Sequence, residues 1–377
     1  MNYKTIYFDN AATTFPKPPS VIRAVNHALN CFGNPGRGSH ALAMRAAEEI
    51  YACRKAAAEL FGASAERVIF TSGATHSLNL AINSSKTGKG AILISDLEHN
   101  AVARPAYASG KEVRVFPSMH RLCGIDRNVA ILTAIDSISN GADTLVTTAA
   151  SNICGIQMPI ADIGDYCRSR GILFIVDGAQ AGGSIDIDIK RDNIDVLCLP
   201  AHKGLYGPMG CGILILGENV SLEPFMSGGS GVNSQSKEMP LQPPERYEAG
   251  TLPAPLIAGL RRGIEFVKRK TPAAIRAHEI MLSELLTSEL QKSGIHVYCP
   301  EHAGSTVLFN IDGMTPEEVS EKFDAHRICT RPGLHCAPLA HSTLESNGAV
   351  RISFGAFNTE KEVLKTAQLA REFAKYH

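Results

Sequence analysis

Short, uninterrupted apolar runs separated by helical stretches constrain this chain more than any other feature. Arg67–Phe70, Ala91–Ile94, Val113–Phe116, Leu145–Thr147, Ile172–Val176, Val196–Leu199 and Gly212–Leu216 each read as a strand. Several do not alternate polar with apolar residues, as expected of strands covered on both faces. Two helical patterns precede them, at about 18–31 and 41–61. Ala46, Ala47, Ile50, Ala57, Leu60 and Phe61 give the second an apolar stripe. Strands alternating with helices predict an α/β domain built on a mainly parallel sheet.

The character changes at 227–255, where Gly228, Gly229, Gly231, Pro240, Pro243, Pro244, Pro253 and Pro255 cluster. This segment reads as a long functional loop leading into a helix near 254–270. A second helix at about 272–293 is followed by strands near 295–299, 305–311, 327–330 and 349–354. A terminal helix over about 359–376 completes a smaller α+β domain, with the boundary near 255. At 377 residues and 44% hydrophobic, the chain is large enough for two cores. Lys+Arg and Asp+Glu are both 37, so a generic polyanion-binding surface is not expected and nucleic acid is not a predicted partner. No apolar run approaches the roughly 18–20 residues of a membrane span, and Met1–Thr5 opens no signal-peptide pattern. The ten cysteines form no CxxC pair, which suits reduced thiols in a cytoplasmic protein.

The chemistry begins at Ala201-His202-Lys203-Gly204, where a lysine follows an apolar strand and precedes a glycine-rich turn. A surface-loop lysine is the plain reading. A lysine at the mouth of an α/β sheet can instead form a Schiff base if its pKa is lowered. Asp177 ends the most hydrophobic strand, where ligands of open α/β sheets sit, although a carboxylate there can also merely cap a turn. Together, Lys203 and Asp177 supply the two contacts that a pyridoxal phosphate enzyme needs: one for the aldehyde, one for the pyridine nitrogen. Phe70-Thr71-Ser72-Gly73-Ala74-Thr75 follows a strand and opens a helix, so its N–H groups and the Thr75 hydroxyl could hold a phosphate or form an ordinary N-cap. Glu98-His99-Asn100 places His99 at the same sheet edge. Gly36-Arg37-Gly38 lacks a preceding strand and the full GxGxxG pattern, which argues against a dinucleotide loop.

These ordered motifs, from Phe8-Asp9-Asn10-Ala11-Ala12-Thr13 to Arg351, resemble those of the class V aminotransferase family, with the fold-type-I architecture of pyridoxal phosphate enzymes. Within that family the chain looks like the cysteine desulfurases and selenocysteine lyases. The resemblance implies that Lys203 holds the cofactor aldehyde, that Asp177 faces its ring nitrogen and that His99 stacks on its ring. It implies that Asn152 and Gln180 tune the ring phenolate oxygen, and that Ala74, Thr75 and His202 lie on the phosphate side. Thr251 matches a threonine that reaches the phosphate from the partner subunit, which implies a homodimer. The large cofactor-binding domain is expected over 15–255, with 1–14 and 256–377 forming the small domain. One departure stands out: the family usually carries a hydroxyl residue three positions before the lysine, touching the phosphate, and this chain has Pro200, which has neither hydroxyl nor N–H.

Thr330-Arg331-Pro332-Gly333-Leu334-His335-Cys336-Ala337 resembles the RxGxHC segment of group II cysteine desulfurases, implying Cys336 as the nucleophile that takes sulfur from the substrate. A buried structural cysteine is the alternative, and a zinc site from His335, Cys336 and His341 fits no common ligand spacing. Arg351 matches the arginine that pairs with the substrate carboxylate, a task suited to a bidentate guanidinium; a rim salt bridge is its bland alternative. The resemblance implies a small amino-acid substrate, cysteine or selenocysteine, and passage of sulfur to a thiol or an acceptor protein. Transamination, epimerisation or another β-elimination would keep the cofactor residues without needing Cys336. A non-catalytic sulfur-handling module on the same fold is a further rival.

Overall fold

The computed structural model describes residues 5–36, 38–84, 88–118, 126–232, 235–299, 301 and 304–375. A short strand β1 (Ile6–Tyr7) leads to helices α1 (Pro19–Cys31) and α2 (Ala41–Phe61). The alternation then runs β2 (Val68–Thr71), α3 (Ala74–Ser84), β3 (Ala91–Ser95), α4 (Asn100–Ala108), β4 (Val113–Phe116), α5 (Arg127–Ile138), β5 (Ala142–Thr148), α6 (Ile160–Arg170), β6 (Leu173–Asp177), β7 (Val196–Pro200) and β8 (Gly212–Leu216). Beyond the Gly/Pro-rich segment come α7 (Ala254–Lys270), α8 (Pro272–Lys292), β9 (His296–Tyr298), β10 (Thr306–Asn310), α9 (Pro316–Ala325), β11 (Ile328–Cys329), β12 (Arg331–Gly333), α10 (Pro338–Thr343), β13 (Ala349–Ser353) and α11 (Glu360–Lys375).

Strands β2 to β8 form one seven-stranded sheet in the order β2-β8-β7-β6-β5-β3-β4. From β7 to β4 every neighbouring pair is parallel, whereas β8 runs antiparallel to both β7 and β2. The apolar runs explain this arrangement. Leu93, Phe174, Val176, Leu197 and Ile213 belong to one core; Ile92, Ile94, Ile175, Cys198 and Leu214, the residues between them, belong to another. Successive side chains point to opposite faces, so non-alternating strands need helices on both. Each fully buried Leu, Ile or Phe contributes about 1.5–3 kcal/mol. Strands β3, β5, β6 and β7 run in parallel, so their carboxyl ends share one edge. Thr148, Asp177 and Cys198 lie side by side there.

A four-stranded antiparallel sheet, β12-β13-β10-β9, and the parallel pair β1-β11 complete the structure. A separate core holds Phe8, Leu282, Leu286, Phe309, Phe323, Ile352 and Phe373. The expected single strand at 327–330 is two: β11 pairs with β1 and β12 pairs with β13, so the chain changes sheet at Thr330. The expected strand at 145–147 extends to Ala142–Thr148, and Arg67 ends a short 3-10 turn rather than starting β2. Arg37 of the rejected Gly36-Arg37-Gly38 motif lies outside the described residues. Among the described residues no helix is long and apolar enough to cross a membrane.

Candidate active site

The chain leaves β7 at Pro200 and turns through Ala201 and His202 to Lys203. The His202 carbonyl is tightly clamped. It accepts from the Thr14 N–H at 3.0 Å, the Thr13 hydroxyl at 3.0 Å, the Thr14 hydroxyl at 3.1 Å and the Lys17 ammonium at 2.6 Å. The Thr14 hydroxyl also lies 3.0 Å from the Lys203 carbonyl. The lysine backbone is thereby fixed by a segment almost 190 residues earlier. Burial lowers the Lys203 pKa to about 8, against the opposing pull of Asp177 and with help from Arg351. A substantial fraction of this amine is therefore unprotonated near pH 8, the form that attacks a carbonyl.

Lys203 lines a cavity of about 330 Å³ together with His99, Asn152, Asp177, Gln180 and His202. Ala74 and Thr75 at the start of α3, and Pro200, line it too. Its volume is at the small end of typical ligand sites. Asp177, the last residue of β6, accepts a hydrogen bond from the Ala179 N–H at 2.9 Å. Burial raises its pKa, while that N–H and Lys203 pull it down. A cation placed against it would restore the ionised form.

At α3, Ser77 is the residue whose N–H reaches the Gly73 carbonyl, at 3.1 Å, so the preceding N–H groups lack helical partners. Gly73 has φ 153 and faces open space, while a Cβ on Gly212 would lie 2.6 Å from the Gly73 Cα. Two glycines thus let the loop before α3 close onto β8. The His202 Nδ1 atom is buried with no protein partner, and burial with Lys203 and Lys17 lowers its pKa to about 4. Helix-start N–H groups, a neutral imidazole with an orphaned nitrogen, a buried lysine and a buried carboxylate together fit pyridoxal phosphate, an aromatic aldehyde carrying a phosphate.

His99 caps α4, its Nδ1 accepting from the Ala101 N–H at 3.0 Å. Burial, Lys203 and Arg351 lower its pKa to about 4, so the ring is neutral above that and carries its proton on Nε2. The Asn152 amide donates to the His335 carbonyl at 3.0 Å, and the Gln180 amide donates to the Ala11 carbonyl at 2.9 Å. Each amide nitrogen keeps a second proton for the cavity.

Arg351 lies in the middle of β13 and is not a wall residue of this cavity. Its guanidinium donates to Asp9 at 2.7 Å and to the Asn152 carbonyl at 2.9 Å, and its Nε is buried without a partner. Arg331 reaches the other Asp9 oxygen at 3.0 Å. Cys336 is exposed on the loop between β12 and α10, and its carbonyl accepts from the Asn100 N–H at 2.7 Å. The nucleophile candidate is thus fastened to the residue after His99. Thr251 does not line the Lys203 cavity; it lines a separate one of about 960 Å³ beside α2 and the Gly/Pro-rich segment. Among the described residues no cluster suited to a metal occurs, including at His335, Cys336 and His341.

Sequence reasoning missed several groups. Asp9 was quoted within a motif but given no task, yet it holds both Arg351 and Arg331. Thr13, Thr14 and Lys17 grip the lysine turn from a distance in sequence that no local pattern reports. Glu98 sits directly before His99 and is fully buried; its Oε1 accepts from the Ser95 hydroxyl and from the Thr148 N–H, the latter at 2.8 Å. Nothing in Glu98-His99 distinguishes a buried glutamate from an exposed one.

Fold and site together define the fold-type-I architecture of pyridoxal phosphate enzymes. The aminotransferase class-V family matches residues 6–365, and the chain belongs to that family. A probable cysteine desulfurase of Methanothermobacter thermautotrophicus is 30% identical, over 98% of this chain and 94% of that protein. A probable cysteine desulfurase of Xylella fastidiosa is 32% identical, over 95% of this chain and 88% of that one. The apo structure of a cysteine desulfurase from Thermococcus onnurineus superposes with a TM-score of 0.90 at 28% identity, covering 99% of this chain and 95% of that one.

Proposed function

We propose that this chain is a pyridoxal phosphate-dependent cysteine desulfurase that converts cysteine to alanine and holds the removed sulfur as a persulfide on Cys336. The observation that carries the reading is the 2.7 Å bond from the Asn100 N–H to the Cys336 carbonyl, which brings the exposed thiol loop to the rim where His99 stands. Ala74, Thr75 and His202 would hold the phosphate, Lys203 the aldehyde, and Asp177 the proton on the ring nitrogen. When bound, the cofactor supplies an electron sink for charge developing at the substrate Cα.

The chain's own groups divide the remaining work. Lys203, with its pKa near 8, moves the proton at the substrate Cα. His99, neutral and anchored at Nδ1, offers a flat ring face to the cofactor. Asn152 and Gln180 offer their free amide protons to the ring oxygen. Arg351 is oriented by Asp9 and the Asn152 carbonyl, and binds the substrate carboxylate. The Cys336 thiolate attacks the substrate sulfur, the Cβ–S bond breaks, and alanine leaves after protonation. A thiol or an acceptor protein then takes the sulfur. Selenocysteine is accepted with less demand on Cys336, because a selenol leaves more easily.

Thr251 faces a cavity other than that of its own Lys203, which supports its reaching the phosphate of a second copy in a homodimer. Residues 15–255 form the cofactor-binding domain in this reading, with 1–14 and 256–377 as the small domain.

The test is a paired turnover assay of Cys336→Ala and Cys329→Ala with cysteine and with selenocysteine. Cys336→Ala is expected to keep cofactor and lose sulfide release by on the order of 10²-fold, with a smaller loss of selenide release. Cys329→Ala is expected to stay near wild type. Wild-type desulfuration by Cys336→Ala would favour another class V reaction.

A further inference from the structure

Cys336 sits in an unusual backbone. His335 and Cys336 both have positive φ, 52 and 55, which side-chain-bearing residues seldom adopt singly and rarely in succession. Surrounding contacts must hold such a turn. Two act on the main chain: the Asn152 amide on the His335 carbonyl, and the Asn100 N–H on the Cys336 carbonyl. The others form a line of buried side chains. His335 Nε2 lies 3.0 Å from the Arg331 carbonyl, His335 Nδ1 lies 3.1 Å from His341 Nε2, and His341 Nδ1 lies 3.1 Å from the Ser346 hydroxyl. The ring centroids lie 5.4 Å apart with the rings inclined by 15°, a separation that suits an in-plane bond between them.

Donor and acceptor arithmetic fixes the protons. A carbonyl can only accept, so His335 Nε2 carries hydrogen. In a neutral ring Nδ1 must then accept, so His341 donates from Nε2 and accepts at Nδ1 from Ser346. The Gly348 N–H donates to the Ser346 oxygen at 3.2 Å. The line therefore runs one way, from Ser346 through His341 and His335 to the backbone of β12. A second proton on His335 would sit on Nδ1 against the His341 Nε2–H, whereas one on His341 would sit on Nδ1 and turn the Ser346 hydroxyl to the Gly348 carbonyl, 3.2 Å away. Burial is the main influence disfavouring a second proton on His335, and the charges of Arg351 and Arg331 add to it, their carboxylate partner Asp9 being already engaged by both. Thr343, at the end of α10, donates to Asp96 at 3.1 Å and anchors the helix that carries His341.

We propose that His341 is a positioning residue for Cys336: as the central link of the Ser346–His341–His335 line, it holds the strained turn that carries the thiol beside His99 and Asn100. This rests on Cys336 as the sulfur-accepting nucleophile and adds a residue to that reading. His341 is buried, does not line the Lys203 cavity, and acts through His335.

Holoenzyme carrying His341→Phe, which fills the space without ring nitrogens, is compared with His341→Gln, whose amide N–H can still donate to His335. Steady-state cysteine desulfuration is measured alongside alkylation of Cys336 by iodoacetamide, followed on the Cys336 peptide by mass spectrometry. For His341→Phe the expected kcat falls by about tenfold or more with KM within about twofold, and the alkylation rate shifts by about threefold or more. His341→Gln should return both to within about threefold of wild type. Should His341→Phe not fold, as judged by cofactor absorbance and melting temperature, Ser346→Ala carries the test with an expected kcat loss of about threefold. Wild-type kcat and alkylation in these variants, a loss confined to KM, or a His341→Gln as impaired as His341→Phe overturns the proposal. Cys336→Ala, run in parallel, separates the two layers. If it loses turnover and His341→Phe does not, only the positioning role fails. If it keeps turnover, the nucleophile reading fails, and the alkylation result alone decides whether His341 orders the turn.

Discussion

Glu98→Gln should make the protein less sensitive to alkali. Glu98 is fully buried at the carboxyl edge of the large sheet, with one oxygen bonded by Ser95 and the Thr148 N–H and the other without a partner. Burial pushes its pKa from 4.5 up to about 8; the Ser95 and Thr148 bonds oppose this, and the carboxylates of Asp177 and Asp96 add to it. Its folded pKa is raised above the unfolded value. Its contribution is therefore fully present below pH 4.5 and is lost as pH rises through about 8. Between pH 5 and pH 8 the linkage relation with these two values gives a loss of roughly 3–4 kcal/mol per chain, an order-of-magnitude figure at about 1.4 kcal/mol per pKa unit. Glutamine keeps the shape and the accepting oxygen but does not titrate. Urea unfolding of both proteins at several pH values isolates the effect, because every other group titrates in common. The stability of Glu98→Gln relative to wild type should climb with pH across that window. A difference that stays flat, or falls, would refute a neutral Glu98.

Two further substitutions probe buried charges. Arg54→Met should destabilise the fold by about 3–5 kcal/mol in urea titrations, since it strands Glu248, which Arg54 holds at 2.5 and 2.9 Å. In the proposed homodimer it should also loosen cofactor retention, because Glu248 fixes the segment bearing Thr251. Asp177→Asn should lower kcat by on the order of 10²-fold and weaken cofactor retention, seen in the visible absorbance of the purified protein, because an amide cannot stabilise a cationic ring nitrogen.

The large sheet was legible because its strands are buried on both faces, so Ile172–Val176 and Gly212–Leu216 announce themselves without context. Lys203, Asp177, His99 and Thr75 were legible for a related reason: each ends or shortly follows such a strand, and parallel strands deliver their carboxyl ends to one edge. What escaped depends on contacts across the chain. Asp9 and Arg351 meet over 342 residues, and the change of sheet at Thr330 is set by β1, not by anything near residue 330. Glu98 looks like any surface glutamate because its burial is imposed by neighbours from β5 and β6. His341, three residues into a short helix, becomes meaningful only once His335 is seen beside it.

The seam between the two ends of the sequence has a consequence for biosynthesis. Strand β1 pairs with β11, Asn10 bonds to Ser353 and Asn358, and Asp9 grips Arg351. A growing polypeptide has synthesised all seven strands of the large sheet, and Lys203 with its threonine clamp, by residue 216. Residues 5–10 must then wait for their partners in β11 and β13 for more than a hundred further residues, since contacts so distant in sequence form late. A chain released early could build the lysine pocket but would have neither Arg351 nor the proposed sulfur-accepting thiol. In the proposed reading, reactivity toward sulfur is in this way tied to the synthesis of residues 336–351, and a product interrupted before them lacks both groups.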